Sequence, residues 1–306
     1  MLFKKNIITL FLIIFILFIM LFSCKSNKST HKILFVSIEP YKYIVDFLTE
    51  NNIETKTIMS KNQDPHTFEI TPKELENILN SYAYLKTNLP FENIIIDRIN
   101  SQNNNLNIYD ISKDLRLIFS TDNNDYADKH NEEDNEKEEK DHIHDEPYDI
   151  HIWISLNNLK IISKNIYDFL LLNYKELNPI IEKNYKNLIE KLNFLDNNFS
   201  KLIKSRNIKY IFVFHPLFSY FCRDYNLNQI VLEFEGKEPS LSTIKDIFNI
   251  IKNNNIKVFF ISPQFPTSYA DIFKNELNLK VEIIDFLSYN ILDSFETLYN
   301  ILANNY

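Results

Sequence analysis

Short apolar runs alternate along most of the chain with segments of helical spacing. Residues 32–38 (KILFVSI) are apolar and rich in β-branched side chains, which is typical of a buried strand, and residues 40–52 follow with apolar positions at helical intervals. By the same criteria we predict eight strands, at residues 32–38, 53–59, 82–87, 105–112, 208–214, 228–234, 256–262 and 280–285. Strand and helix alternate in this way in parallel α/β domains. The pattern therefore predicts two α/β lobes of the same class.

The most regular apolar pattern lies between these two halves. Apolar residues recur there at steps of three or four, at Ile181, Tyr185, Leu188, Leu192, Leu195, Phe199 and Leu202. This spacing predicts a helix over about 178–205, with Asn178 as its cap and Pro179 at its first position. At 1.5 Å per residue, about 27 residues make a stiff rod of roughly 40 Å. The periodicity fits a strut between two lobes, and it also fits an ordinary long helix packed on one domain.

These patterns set the expected domain boundaries. We expect an N-terminal lobe over 32–158, a helical linker over 159–206 and a C-terminal lobe over 207–306. Within the first lobe, residues 122–149 have almost no apolar content and predict a solvated loop. This acidic loop contains 13 Asp or Glu and 3 Lys, so its net charge of −10 exceeds the −8 of the whole chain and leaves +2 for the remainder. Because no basic stripe occurs elsewhere, we expect no nucleic-acid partner.

The N-terminus has the pattern of an export signal. Lys4 and Lys5 precede an apolar run over 7–22, which is slightly short for a transmembrane helix, and Ser23 and Cys24 follow it. The stretch LFSC resembles the lipobox of bacterial lipoproteins, which implies that residues 1–24 form a lipoprotein signal peptide in which Cys24 is lipidated, and that residues 25–31 are a tether. An uncleaved helical anchor with an incidental cysteine is the alternative. Both interpretations hold the globular part at a membrane, outside the cytoplasm.

The seven histidines fall into groups by their position. His31 lies beside the tether and needs no function. Three others lie in the acidic loop, where weak metal capture and a plain solvated role are both open, and these are His130, His142 and His144. The last three, His66, His151 and His215, lie at boundaries between predicted elements.

Two residues lie where the predicted C-terminal sheet would bind a ligand. His215 directly follows the strand at 208–214, and Asp285 ends the strand at 280–285. Ligands of open α/β sheets bind at the carboxyl ends of the strands. The separations between His66, His151, His215 and Asp285 are too long for a local motif, so spacing alone does not decide whether they share a site.

A family resemblance links these positions. Five segments carry it, in chain order: DPHTFEITP (64–72), YDIHIWISLNN (148–158), FVFHPLFSYFCRDYNL (212–227), EGKEPS (235–240) and VFFISPQF to VEIIDFL (258–287). Together they resemble the zinc- and manganese-binding solute-binding lipoproteins of ABC metal importers, the family of the zinc-uptake and treponemal metal receptors. The resemblance implies two similar α/β lobes, each a parallel-type sheet with flanking helices, joined by one long rigid helix, with metal bound between the lobes.

The resemblance also implies a ligand set. His66 and His151 would come from the N-terminal lobe, and His215 and Asp285 from the C-terminal lobe. Three imidazoles and one carboxylate suit four-coordinate Zn²⁺, whereas Mn²⁺ prefers more oxygen ligands. Since the third position of the family is commonly His in zinc receptors and Glu in manganese receptors, His215 favours Zn²⁺, with Mn²⁺ as the alternative.

Nearby acidic residues are candidates to support the ligands. A metal-bound imidazole usually donates its other N–H to a carboxylate or carbonyl. Asp64 and Glu69 flank His66, and Asp149 precedes His151 by two residues. We expect one of these three to accept such a bond, and a solvated surface role is the alternative.

The function implied is that of a receptor and not of an enzyme. Such a protein would be a monomer, lipid-anchored at the cell envelope on the periplasmic side or the outer face of the cytoplasmic membrane, that captures Zn²⁺ or Mn²⁺ and delivers it to an ABC permease driven by its ATPase. One alternative is an exported zinc-dependent hydrolase, which needs an open coordination position and a general base. The other is a metal-binding surface adhesin.

Overall fold

Each half of the protein is built on a four-stranded parallel sheet in the computed structural model. The structure describes residues 32–60, 63–87, 89–102, 106–119, 147–233, 240–265 and 270–306. All eight predicted strands form, although each is shorter than its apolar run. The α/β prediction is therefore confirmed, whereas the lobe boundaries at 158 and 206 stay a prediction.

The N-terminal sheet has the strand order β2-β1-β3-β4, with every pair parallel. Its strands are β1 (Leu34–Val36), β2 (Thr55–Thr57), β3 (Ala83–Lys86) and β4 (Asn107–Asp110). Helices α1 (Glu39–Thr49), α2 (Pro72–Leu79) and α3 (Glu92–Ser101) connect them. Thr71 and Glu74 form a capping box at the start of α2, with Pro72 in the first turn, so the chain turns into this helix directly after the loop that carries His66.

The C-terminal sheet repeats this order as β6-β5-β7-β8, again with parallel pairs. Its strands are β5 (Tyr210–Val213), β6 (Asn228–Val231), β7 (Val258–Ile261) and β8 (Lys280–Ile283). One central strand of each sheet, β1 and β7, is buried at every residue, as expected when helices cover both faces. His215 lies two residues beyond β5 and Asp285 two residues beyond β8, so both are at the carboxyl edge of this sheet.

A hairpin of two helices joins the sheets. Helix α4 (Leu156–Asn173) leads through a 3₁₀ turn at Lys175–Leu177 into the long helix α5 (Asn178–Arg206). Helix α5 contacts α1, α4 and the C-terminal helix α9 (Ile291–Asn305), so the interpretation as a strut between the halves is confirmed. The described part of the C-terminal half has three shorter helices, namely α6 (Ser219–Tyr225), α7 (Leu241–Asn253) and α8 (Ala270–Leu277).

The predicted cap of the long helix is wrong. Asn178 is its first helical residue, the N-cap position is Leu177, and Leu177 makes no side-chain capping bond. The 3₁₀ turn that precedes α5 explains the difference, because it brings residue 178 into the helix with its backbone already helical.

Asparagine replaces glycine at the turns of this chain, which contains a single glycine. Among the described residues, five asparagines have a positive φ, and they are Asn51, Asn207, Asn226, Asn255 and Asn278. Asn207 ends the long helix in the left-handed conformation at φ 51°, where glycine is the usual residue. Asn tolerates this region better than most other residues, so helix ends that a glycine count would miss still form.

One hydrophobic core runs through both halves. Its buried side chains come from the N-terminal sheet, the helix hairpin and the inner face of the C-terminal sheet. A second, smaller cluster covers the other face of the C-terminal sheet around Phe212, Phe259 and Phe273. No helix in the described part of the chain is both long and apolar enough to span a bilayer.

Candidate metal centre

Three histidines from three separate segments meet between the two sheets. His66 lies in the loop between β2 and α2, His151 lies just before α4, and His215 follows β5. The Nε2 atom of His66 is 3.3 Å from that of His151 and 3.1 Å from that of His215. All three residues offer ligand atoms within 4.8 Å of one another. In a tetrahedral zinc site with bonds near 2.05 Å, two nitrogens lie about 3.3 Å apart, so this spacing fits one ion.

Asp149 orients His151. Its Oδ1 accepts hydrogen bonds from the backbone N–H of His151 at 2.8 Å and from the ring Nδ1 at 2.8 Å. A carboxylate only accepts, so Nδ1 carries the proton and Nε2 presents its lone pair to the other histidines. Both side chains are only 8% exposed. Asp149 is therefore the nearby acidic residue that accepts a hydrogen bond from an imidazole of the site, as predicted for one of three candidates.

Glu233 orients His215 in the same way. Its Oε2 accepts from His215 Nδ1 at 2.9 Å, with the glutamate side chain 9% exposed and the histidine 13% exposed. The order of the strands explains this contact between Glu233 and His215, because β6 lies beside β5. The backbone pairing continues past the ends of both strands, where the N–H of Glu233 donates to the carbonyl of Phe214 at 2.8 Å. Residues Glu233 and His215 are thereby brought to the same edge of the sheet.

The loop of His66 is shaped by Asp64. The Asp64 Oδ1 atom accepts from the backbone N–H of His66 at 3.0 Å, which is an Asx turn. Glu69, the other acidic residue considered for this position, is exposed. Asp64 therefore fixes the backbone of the loop through a main-chain bond.

A small cavity of about 30 Å³ lies at the three rings. Its apolar wall comes from both halves and includes Trp153, Ile154, Leu217, Phe265, Phe286 and Leu287. Phe265 stacks on the His215 ring with centroids 4.6 Å apart. Trp153 packs against His151 with ring centroids 5.5 Å apart, and Phe68 packs edge-to-face on Phe91. The wall limits water at the histidines and strengthens their interaction with a cation.

Burial sets the protonation of these groups. It lowers the pKa of His215 below its ordinary value of 6.5, the neighbouring His151 and His66 rings act in the same direction, and the Glu233 hydrogen bond opposes them. Burial on its own raises the pKa of Asp149, but the interaction with His151 and a hydrogen bond from the Ser219 hydroxyl outweigh it and hold this pKa below 3.8. At neutral pH the centre therefore combines a neutral His215 with an ionised Asp149.

Asp285 is placed beside the centre but outside the group of three. Its carboxylate is not among the ligand atoms that lie within 4.8 Å of one another. The Oδ1 atom accepts from the backbone N–H of Leu287 at 2.9 Å, and the Ser294 hydroxyl donates to the Asp285 carbonyl at 2.6 Å. Its neighbours Phe286 and Leu287 line the cavity. The complete four-ligand set therefore stays a prediction.

Several predicted positions lie outside the described residues. They are Cys24, His31 and the loop histidines His130, His142 and His144. The segment EGKEPS lies outside them as well, apart from Ser240, which caps α7. The signal peptide, the lipidation and the metal capture by the loop remain predictions.

Glu233 is the site residue that the sequence reasoning missed. The available signal was its position near the carboxyl end of the predicted strand 228–234, next in sequence to the strand that ends at His215. What the pattern lacked was the knowledge that these two strands pair side by side.

Comparison with known proteins adds a family and a fold. The family model described as the periplasmic component A of the zinc-uptake complex, ZnuA, matches residues 34–306. A predicted metal-binding protein of Chlamydia trachomatis is 28% identical over 254 residues, which cover 79% of this chain and 82% of that protein.

Two solved structures share the fold. A crystal structure of ZnuA superposes with a TM-score of 0.74 at 24% identity and covers 89% of this chain and 98% of that one. The Zn(II)-bound AdcAII variant of Streptococcus pneumoniae gives a TM-score of 0.72 at 18% identity, over 90% of this chain and 98% of that one. At these identities the superpositions show the fold, including two lobes and their connecting helix.

Proposed function

Because the chain belongs to the family of periplasmic component A of the zinc-uptake complex, we propose that it captures Zn²⁺ through His66, His151 and His215 and hands the ion to a membrane permease. The family consists of extracytoplasmic receptors that serve ABC permeases and their ATPases. Asp285 is the proposed fourth ligand. Mn²⁺ is the alternative cargo.

The convergence of three Nε2 atoms is the observation that carries this proposal. Nitrogen ligands favour Zn²⁺ over the oxygen-preferring Mn²⁺, and separations of 3.1 and 3.3 Å fit a single zinc ion. The Nδ1 atoms of His151 and His215 already donate hydrogen bonds to buried carboxylates. The Nε2 lone pairs of these two rings can therefore bind the ion without reorientation of the rings. ZnuA and AdcAII, which share the fold, are named for zinc uptake or were crystallised with Zn(II).

A hydrolase fits this geometry poorly. A catalytic zinc requires a general base close to its bound water. Asp149 and Glu233 contact Nδ1, which is the far side of each ring from Nε2, so both carboxylates point away from the position of the ion. These groups are therefore placed to orient ligands.

Attachment and capture complete the proposal. We infer that Cys24 carries a lipid that holds the monomeric receptor at the envelope. The acidic loop concentrates cations near the cleft through its net charge and its histidines. Delivery then requires that docking on the permease weakens at least one ligand.

Zinc titration of site variants tests the assignment. Replacing His215 by Ala is expected to lower zinc affinity by orders of magnitude, because one of few ligands is lost, and to leave the apo fold intact. His31→Ala, outside the proposed site, is the matched control. Asp285→Ala should weaken binding as well if its carboxylate turns to the ion. Calorimetry that gives His215→Ala the affinity of the wild type would reject the site.

A further inference from the structure

Helix α6 carries a tyrosine that bridges the two halves beside the metal centre. The Tyr220 hydroxyl donates to the Asp149 carbonyl at 2.7 Å and accepts from the backbone N–H of Ile118 at 3.3 Å. Tyr220 is fully buried and belongs to the C-terminal half, only five residues after His215. Ile118 and Asp149 belong to the N-terminal half.

The hydroxyl therefore closes the base of the acidic loop. Residues 118 and 149 are also joined by a backbone bond from Asp149 N to Ile118 O at 2.9 Å, and Phe119 and Tyr148 form an antiparallel bridge next to it. One side chain of the C-terminal half thus contacts both segments that flank the loop. Among the hydrogen bonds that the structure describes, the Tyr220 hydroxyl makes only these two.

Ser219, the residue before Tyr220, supports the same aspartate. Its hydroxyl accepts from Gln229 Nε2 at 3.2 Å and interacts with the Asp149 carboxylate, which helps to lower the pKa of that group. Gln229 is itself fixed, because its Oε1 accepts from the backbone N–H of Phe218 at 2.6 Å. Two adjacent side chains from the opposite half of the molecule therefore hold Asp149, Tyr220 at its carbonyl and Ser219 at the carboxylate that orients His151.

We propose that Tyr220 and Ser219 are positioning residues for His151, so that this ligand is correctly oriented only while α6 contacts the N-terminal half. The proposal rests on the proposed function and specifies how the same site is regulated. A metal ligand loses affinity when the group that orients its ring is lost. Moving α6 away from Asp149 would therefore weaken His151 while Glu233 still holds His215, since Glu233 and His215 lie in one half. Docking on the permease would therefore release the ion by weakening its bond to His151.

The helix has other anchors that do not touch Asp149. Arg223 donates to the Arg116 carbonyl at 2.7 Å and to Asn158 Oδ1 at 3.2 Å, and the Ser155 hydroxyl donates to Asp224. Removing only the Tyr220 hydroxyl therefore leaves α6 attached. Tyr225 supplies a matched control, because it lies on the same helix and its hydroxyl donates at 2.7 Å to Asp196 on α5, away from the metal centre.

The test compares Tyr220→Phe, Ser219→Ala and Tyr225→Phe in the full chain. Zinc dissociation is measured by stopped-flow transfer to a chromophoric chelator, and the Nδ1 proton of His151 is followed by NMR in the zinc-loaded protein. We expect both site variants to release zinc about fivefold to tenfold faster and to shift the His151 signal. This is less than the 10–100-fold change in affinity typical when a group that contacts a metal ligand is lost, because Tyr220 and Ser219 act on His151 through Asp149. Tyr225→Phe should match the wild type in both measurements. The thermal midpoints of the apo proteins report any general loss of packing.

The outcomes separate the two proposals. A wild-type protein that binds no tight zinc overturns the proposed function. The positioning role alone is overturned by a different result. In that case the wild type binds one zinc, Tyr220→Phe releases it at the same rate as Tyr225→Phe, and the His151 signal is unchanged. If Tyr220→Phe does not fold, Ser219→Ala decides by the same two readouts.

Discussion

The bond between Glu233 and His215 gives a quantitative prediction. Replacing Glu233 by Ala leaves the Nδ1–H of His215, in a ring only 13% exposed, without the acceptor that lies 2.9 Å away. Groups in this supporting position typically change metal affinity by 10–100-fold, which is about 1.4–2.7 kcal/mol. We expect Glu233→Ala to weaken zinc binding within this range. Glu233→Gln, which keeps an acceptor oxygen without its charge, should fall between Ala and the wild type.

Proton competition does not obscure this effect at pH 7 or above. Burial already lowers the pKa of His215, and the Glu233 hydrogen bond is the contribution that raises it. Losing Glu233 lowers this pKa further, so His215 stays neutral in both proteins. The change in affinity then reports the orientation and basicity of the ring.

Competition titration with a chromophoric zinc chelator measures the effect. Glu282→Gln is the matched control, because Glu282 pairs with Lys280 on strand β8 at 2.6 Å and does not line the cavity. Equal zinc affinities for Glu233→Ala and Glu282→Gln would refute the reasoning, provided that both variants keep the wild-type thermal midpoint.

Three further predictions concern pH, packing and the loop. A protonated imidazole cannot bind metal, and burial lowers the pKa of His215 below 6.5, so titrations at stepped pH should show its contribution to zinc affinity retained at pH 7 and lost as the pH falls through this lowered pKa. Phe199→Ala should destabilise the fold by about 3–5 kcal/mol in urea unfolding, because Phe199 is fully buried where the long helix meets the C-terminal half, while Phe194→Ala, 66% exposed on the same helix, should change it by less than about 0.5 kcal/mol. Deleting residues 123–146 should leave one tight zinc per chain in calorimetry and remove only weaker binding; loss of the tight site with the loop would contradict the ligand assignment.

Local patterns predicted most of the fold. Strands such as β1 and β7 are continuous buried runs, and the long helix keeps its apolar stripe through about eight turns. Each of these patterns can be recognised from residues that lie close together in the sequence. The start of that helix was misplaced because the preceding 3₁₀ turn depends on how two helices pack into a hairpin. Asparagine occupies five of the seven positive-φ positions among the described residues, so glycine gives no signal for these turns.

The site was predicted less completely, for a physical reason. The three histidines could be named from element boundaries and from the order of the family motifs. Glu233 and Tyr220 could not, because the first depends on which strands are neighbours and the second on contact between the two halves. Asp149 could be named as a candidate from the sequence, because it lies two residues from His151 and bonds to it locally.

The size of the cavity bears on how a cation is chosen. A cavity needs about 10–15 Å³ of space to hold one water, so the shell of about six waters around a divalent ion needs roughly 60–90 Å³. The space at the three rings is about 30 Å³. This space has room for about two waters, so an ion bound to the nitrogens keeps only a small part of its hydration shell. Mg²⁺ gives up its waters reluctantly, so this abundant competitor is held back by hydration as well as by the nitrogen ligands.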